Sequence, residues 1–229
     1  VINIGGALAK FKKKTLVLDL DPQSSLTTSL GIKLKPEQGD IYELLIGKTT
    51  VDKVIINRPD GLDVIPSCLE LADAEMELAS TPGRELLLKE ALTPIINNYE
   101  YILIDCQPSL SLLTYNALVL AHEVFIPLQT EYLALQGTGR LTEIIDTIRK
   151  RLNANLRISG VIATRFDNRK LLNRGVIETL KKAFDNTLFK TFIRENISLA
   201  EAPSKGQNIF EYKPDSSGAE DFLSLTKEI

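Results

Sequence analysis

The sequence predicts an α/β fold, doubly wound, with a mostly parallel sheet flanked by helices. Short apolar runs alternate along the chain with stretches whose apolar residues recur at helical spacing, which is the pattern of βαβ units. Two of the runs, Leu16-Val17-Leu18-Asp19-Leu20-Asp21 and Ile102-Leu103-Ile104-Asp105, are nearly continuous rather than alternating, as suits strands buried on both faces, and both end in acids. An acid at the carboxyl end of such a strand stands where open α/β sheets bind their ligands.

The chain opens with Ile2, Ile4, Ala7, Leu8 and Phe11 at roughly helical spacing, an amphipathic helix. The first residue is Val1 rather than Met, and the expectation is that something upstream is missing. Strands are predicted at 15–20, 62–66, 101–105, 123–127, 157–164 and 187–193. Leu87, Leu88, Ala91, Leu92, Ile95 and Ile96 form one helical face, and Leu141, Ile144, Ile145, Ile148 and Leu152 another, each spaced for contact with a sheet. Turn residues at Pro59-Asp60-Gly61, Thr81-Pro82-Gly83 and Asp167-Asn168-Arg169 separate them, and residues 216–229 read as a closing helix. With no repeat, low-complexity tract or long linker, residues 1–229 read as a single domain.

Composition excludes more than it selects. The chain is 44% hydrophobic and 25% charged with a formal charge of -3, so it has an ordinary globular make-up and no global basic signature. No apolar stretch approaches the roughly 20 residues of a membrane span, no signal-peptide pattern is present, and a cytoplasmic location without membrane contact is expected. Cys68 and Cys106 are far apart in sequence, form no C-x-x-C pair, and are expected to be small core fillers. His122 reads as a helix-end residue, without a serine elbow or metal-ligand partner nearby.

The two acidic strand ends suit phosphate chemistry, but the basic half is absent. No G-x-x-x-x-G-K-S/T segment occurs to supply backbone N–H groups and a lysine to phosphates. Gly47-Lys48-Thr49-Thr50 is no substitute. The glycine required five positions earlier is Tyr42, a helical run rather than a strand precedes it, and Gly47 reads as a helix C-terminal glycine.

The order Asp19-Leu20-Asp21-Pro22-Gln23, then Ile104-Asp105-Cys106-Gln107-Pro108-Ser109, then Leu199-Ala200-Glu201-Ala202-Pro203-Ser204-Lys205-Gly206 resembles the ParA/Soj family of partitioning ATPases, P-loop NTPases with a deviant Walker A motif. The likeness runs over essentially the whole chain. In that family a K-G-G-V-G-K-T-T loop precedes a helix similar to Val1–Ala9, so the resemblance implies a domain without its first strand and phosphate loop, inactive as it stands. It implies ATP and Mg²⁺ as cofactors. Asp21, in the switch I position, would orient or activate the attacking water. Asp105 would hold Mg²⁺ through water, since Mg²⁺ keeps several waters and takes only one or two carboxylates. Asp19 would support the metal shell or, equally, cap the turn that follows its strand.

Pro22 and Gln23 fall in the first switch loop, and Gln107 and Pro108 in the second. Gln107 stands where the family usually has proline, which implies a less rigid loop. Arg165 and Phe166, with Arg194, occupy positions that frame the adenine in similar proteins, and the resemblance implies a nucleotide-binding place for Pro203 of the third motif with them. Relatives carry proline-arginine-asparagine and a further arginine where this chain has Arg194-Glu195-Asn196 and Ser198, so arginine contacts to DNA do not transfer simply.

The family forms ATP-dependent homodimers that bind DNA without sequence preference and answer to a ParB/Spo0J-like protein, which implies a nucleoid-associated protein. Lys181, Lys182 and Lys205 are the leading DNA candidates, with Lys170, Arg174 and Lys190 beside them and Glu178 and Asp185 interrupting the run. Two other readings stand beside this one. A P-loop-less relative could keep the fold only to bind a partner. A MinD-like branch should end in a basic amphipathic membrane helix, and Phe222–Ile229 is short and not basic.

Overall fold

The computed structural model describes residues 1–35, 37–131 and 138–229. In chain order the elements are α1 (Ile2–Lys10), β1 (Thr15–Leu20), α2 (Ser25–Ser29), α3 (Ile41–Leu45), α4 (Val51–Val54), β2 (Ile56–Asn57), β3 (Leu62–Ile65), α5 (Leu71–Glu77), α6 (Leu87–Leu92), β4 (Tyr101–Cys106), α7 (Leu112–Leu120), β5 (Glu123–Gln129), α8 (Thr138–Arg151), β6 (Arg157–Thr164), α9 (Leu171–Phe184), α10 (Ile197–Glu201), α11 (Ile209–Tyr212) and α12 (Ser217–Glu228).

The strands form a four-stranded sheet in the order β2-β3-β1-β4 and a separate parallel pair, β5-β6. Every residue of β1 is buried, because the strand has parallel neighbours on both edges and helices on both faces. Its register with β4 sets Asp19 opposite Asp105. Five predicted strands are present with nearly the expected limits, and the short antiparallel β2 was not foreseen.

The predicted strand at 187–193 does not form. Phe189 N–H donates to Val161 C=O (3.0 Å) and Ile193 N–H to Ala163 C=O (2.9 Å), so the segment advances four residues while β6 advances two. No regular ladder can run at that mismatch. The Phe189 ring occupies the space where a side chain on Gly160 would stand, which pins the segment against β6 without a ladder.

The same helices cover both sheets. On one face α7 places Leu113, Ala117 and Leu120 with Ile102 and Ile104 of β4, and Leu118 and Val119 with Val124 of β5. On the other, α1 places Ile2 with Leu103 of β4, and Ile4 with Phe125 of β5. Successive strand residues point to opposite faces, so β4 and β5 are sandwiched between one pair of helices. They are nonetheless not hydrogen-bonded to each other. The β4 residues Tyr101 to Asp105 are accordingly only half-buried, despite a composition as apolar as that of β1.

Of the predicted helical faces, Leu88, Leu92, Ile95, Ile145 and Ile148 are core residues, whereas Leu152 lies beyond the end of α8 and is 40% exposed. Cys68 is half-buried and Cys106 exposed, so neither is the core filler expected; Cys68 lies just beyond β3 and Cys106 is the last residue of β4, both where the chain leaves the sheet. His122 is exposed between α7 and β5.

Two glycines carry positive φ for different reasons. Gly47 (φ +74°) ends α3 as expected, its N–H on Leu44 C=O, with open space around the missing side chain. Gly206 (φ +68°) meets Gly31, whose Cα would lie 2.9 Å from an added Cβ. Gly47→Ala should therefore cost about 1 kcal/mol from backbone strain alone, and Gly206→Ala about 3 kcal/mol with the backbone clash added, read as shifts in urea midpoint. Equal costs at the two positions would show that the Gly31–Gly206 approach is not tight.

Candidate functional site

Three carboxylates gather at the carboxyl ends of β1 and β4. Asp19 is wholly buried. Its Oδ2 accepts Thr27 N–H (2.8 Å) and Thr27 Oγ1–H (2.7 Å), and its Oδ1 accepts Asp21 N–H (3.3 Å). Thr27 Oγ1 in turn accepts Ser67 N–H (2.9 Å), and Ser67 Oγ–H donates to Asp21 C=O (2.8 Å). One buried chain of hydrogen bonds thus ties β1, α2 and the end of β3 to the loop bearing Asp21. These are capping bonds, and among the described residues they occupy both Asp19 oxygens.

Asp21 is half-buried, with Oδ1 accepting Gln23 N–H (2.9 Å) and its carbonyl accepting Ser24 N–H (2.9 Å). Ser24 completes this tight turn at φ +52°. Pro22 is half-buried and Gln23 exposed on the same loop. Asp105 accepts no hydrogen bond among the described residues. Burial raises its pKa above the usual carboxylate range, the charges of Asp19 and Asp21 push the same way, and the Val1 amino group opposes them. Burial also raises Asp19, against the lowering effect of its bonds from Thr27 and Asp21. Cys106, exposed at its surface, has a thiol pushed up to about 12 by the protein around its sulfur and by Asp105 and Asp21, which makes it a poor nucleophile.

No Lys or Arg is ion-paired with any of the three acids among the described residues. Nor do the described residues hold a group of three or more His, Cys, Asp or Glu arranged to bind a metal unaided. The donors fit Mg²⁺ held by one or two carboxylates, with water and phosphate completing its shell. Asp105 is the available ligand. The second loop is tied down by Gln107 Nε2–H, which donates to Ser111 Oγ (2.8 Å), a bond that proline could not make; Pro108 beside it is exposed.

A second feature is a cleft of about 420 Å³ lined by Phe166, Asp167, Asn168, Arg169, Arg194 and Glu195. Two distant segments meet there: Phe166 N–H donates to Ile193 C=O and Glu195 N–H to Phe166 C=O, both at 3.0 Å. Asn173, buried in α9, accepts Asp167 N–H (2.9 Å) and donates to Thr130 C=O, fixing the loop to the end of β5. Hydrogen bonds from Arg169 hold Asp167 down to about 2. Arg194 is committed elsewhere, 2.7 Å from the buried Asp221 of α12. Arg165, at φ +54°, turns its side chain to Glu131 (3.5 Å) and Glu195 (3.8 Å).

The structure sets the Arg165-Phe166 loop beside Arg194. It does not bring Pro203 to the cleft lining. Pro203 lies in the 3₁₀ turn Ala202–Lys205, which packs beside α2 and α11. Lys205 is on that turn, whereas Lys181 and Lys182 are exposed on α9, Lys181 at 4.0 Å from Glu178. Lys170 is paired with Glu195 at 2.7 Å. Sequence reasoning missed Thr27, Ser67, Asn173 and Asp221. The signal for Thr27 was a polar residue between Leu26 and Leu30 on an otherwise apolar helix face.

A family model described as an AAA domain matches residues 1–158. The sporulation initiation inhibitor protein Soj of Bacillus subtilis is 44% identical over 229 residues, which cover 100% of this chain and 90% of that protein. The chain belongs to the ParA/Soj family of P-loop ATPases. The chromosome partitioning protein ParA of Myxococcus xanthus, a second ParA/Soj relative, is 39% identical over 100% of this chain and 81% of its own length. Among solved structures, cobyrinic acid a,c-diamide synthase from Mycobacterium smegmatis with bound ADP and magnesium superposes with a TM-score of 0.85 at 29% identity, covering 98% of this chain and 84% of that one.

The raised pKa of Asp105 has a consequence for stability in this ParA/Soj chain. A carboxyl whose folded pKa lies above its unfolded value of 3.8 penalises the fold once pH exceeds the folded pKa, and does so not at all below the unfolded one. Asp105→Asn should therefore raise Tm at pH 8, with the gain shrinking to nothing as pH falls below about 4. Tm measured for both proteins from pH 4 to 8 checks this; a variant less stable at pH 8 would mean that the charge is favourable in the fold.

Proposed function

We propose that this chain is the greater part of a partitioning ATPase. It would use Mg²⁺-ATP to form a homodimer, bind DNA without sequence preference, and hydrolyse ATP in response to a ParB-like partner. The observation that carries the reading is the pairing of Asp19 with Asp105 across adjacent parallel strands, with Asp21 two residues further on and no base paired to any of them among the described residues. Such a carboxylate set suits a cation and the phosphates it accompanies. Relatives named for chromosome partitioning, similar along the whole chain, support the biological setting.

In this reading Asp105 holds the metal's water shell, and Asp19 supports it indirectly by fixing the strand end beside it. Bound Mg²⁺ would supply charge neutralisation for the β- and γ-phosphates. Asp21 orients the attacking water, its loop held by the Asp19–Thr27–Ser67 chain. The cleft at Phe166 and Arg194 frames the adenine, with Arg165 at its rim. The phosphate loop, with the strand before it, would come from residues outside this sequence, and the 229 residues alone would not turn over ATP. The role proposed is on the nucleoid, in the cytoplasm; no helix among the described residues is long and apolar enough to cross a membrane.

Two experiments test this in a protein that carries these residues behind a phosphate loop. Asp21→Ala should lower kcat by about 10²-fold or more with ATP affinity nearly unchanged, since it removes only the water-positioning group. Asp105→Ala should weaken Mg²⁺-ATP binding by about tenfold or more. Indistinguishable variants that both still turn over would overturn the assignment.

DNA binding should be ATP-dependent and fall steeply with salt, carried by Lys181, Lys182 and Lys205 rather than by the ion-paired Arg194 and Glu195. Replacing Lys181 and Lys182 by Ala should make the slope of log affinity against log salt shallower by about 0.9 for each phosphate that is no longer neutralised, doubled in a dimer. An unchanged slope would move the DNA to another face.

A further inference from the structure

Helix α1 ends at Lys10, and the residues Lys10-Phe11-Lys12-Lys13-Lys14 that carry the chain into β1 are all exposed. The turn is a Schellman motif, in which Lys12 N–H donates to Ala9 C=O (2.8 Å) and Lys13 N–H to Leu8 C=O (2.9 Å). That motif has residue preferences of its own. Its left-handed position favours glycine, and the residue after it is commonly apolar and packs back on the helix. Here Lys12 stands at φ +62° and Lys13 follows it, so both positions carry charge where the local structure asks for none. The helix dipole does not require this, since Lys10 already places a cation in the last turn. A sequence that accepts backbone strain without a packing gain marks a site of function.

The charge is also available. Lys13 is paired with Glu100 at 2.7 Å, and Asp60, in the turn where Gly61 packs beside Ala9, is held by Arg58 at 3.3 Å. Lys10, Lys12 and Lys14 have no acidic partner among the described residues, and Lys14 Nζ lies 5.5 Å from the centre of the Tyr99 ring. Phe11, in their midst, is 37% exposed. Duplex DNA would use the lysines, but its phosphate surface offers the ring nothing to pack against. An anionic bilayer uses both, because headgroup phosphates take the lysines while an aromatic ring enters the headgroup layer.

We propose that Lys10–Lys14 is a docking surface for anionic lipid headgroups, with Phe11 entering among them and Lys10, Lys12 and Lys14 on their phosphates. Contact through one short basic run and one ring is weak and reversible. The net charge of -3 conceals the surface, because its cations are concentrated in five residues. It lies at the amino end of β1, five residues and about 16 Å from Asp19, so a membrane there leaves the three acids uncovered. Lipid docking requires no nucleotide, so it stands or falls separately from the ATPase reading.

The test is run in the protein that carries these residues behind a phosphate loop, with Phe11→Trp as reporter; the 229 residues contain no tryptophan of their own. Emission, read against the parent protein, should move to shorter wavelength on vesicles of equal phosphatidylcholine and phosphatidylglycerol, and not on phosphatidylcholine alone. With Phe11 intact, sedimentation with the mixed vesicles should weaken about fivefold for each of Lys10→Gln, Lys12→Gln and Lys14→Gln, and should fall with added salt. Lys12→Gly should weaken it equally while raising the urea midpoint, because glycine removes the backbone strain. No emission shift, an equal shift on neutral vesicles, or a lower midpoint for Lys12→Gly overturns the proposal. So does a loss of duplex-DNA affinity in the three glutamine variants larger than their loss on vesicles, which would assign the lysines to nucleic acid.

Discussion

A carboxylate with no solvent exposure cannot remain at the end of a central strand unless other groups solvate it, and Asp19 governs the site for that reason. Thr27 satisfies Oδ2 twice, once from backbone and once from side chain, and Asp21 N–H satisfies Oδ1. Removing such partners would leave a buried charge uncompensated, a far larger cost than the net value of any one bond. The bonds therefore behave as a unit. Because Thr27 and Ser67 are shared with the backbone of the Asp21 loop, the cost of burying Asp19 is also what fixes the position of Asp21. The alternative of a direct metal ligand sits poorly with an acid whose oxygens are already engaged, and leaves Asp105 as the acid with capacity to spare.

The segment 193–196 is held by a different logic. Where relatives carry proline, Arg194 makes a backbone and side-chain grip on Asp221, and that acid is nearly buried in α12. Where relatives carry arginine, Glu195 instead draws Lys170 and Arg165 towards itself. The positive charge available to a polyanion at this rim is reduced twice, once by the missing arginine and once by neutralisation of the neighbouring bases. In the proposed reading, nucleic-acid contact falls instead to the lysines of α9 and the 3₁₀ turn. The same ion pairs shape the cleft, since Arg194 and Glu195 form one wall of it and Asp167 with Arg169 the other.

Most of the sheet was legible because its strands are continuous apolar runs of the right length, and the acids at their ends were legible because charge rarely follows such a run without a reason. What was not legible depended on long-range pairing. Residues 187–193 have strand composition, but their register against β6 advances at the wrong rate, and no local pattern records that. Thr27, Ser67, Asn173 and Asp221 are ordinary polar residues until the fold carries them to partners 8, 46, 43 and 27 residues away. The third motif groups Pro203 with the cleft, and packing against α2 carries it elsewhere. Cys106 reads as core because it ends an apolar strand, but that strand is an edge.

The three acids belong to one electrostatic problem. Asp105 stands at the end of β4, which is paired with β1 on one edge only among the described residues, and it is half-buried and without a hydrogen-bond donor among them. Asp19 opposes it in register, and Asp21 adds a third negative charge that the described protein does not neutralise. The charges of Asp19 and Asp21 add to burial in raising the pKa of Asp105, which weakens the fold unless something positive arrives. A dipositive ion or the N–H groups of a phosphate loop would each relieve the same strain. Charge therefore directs a cation to the carboxyl ends of β1 and β4, where Asp19 and Asp105 stand opposite one another in register.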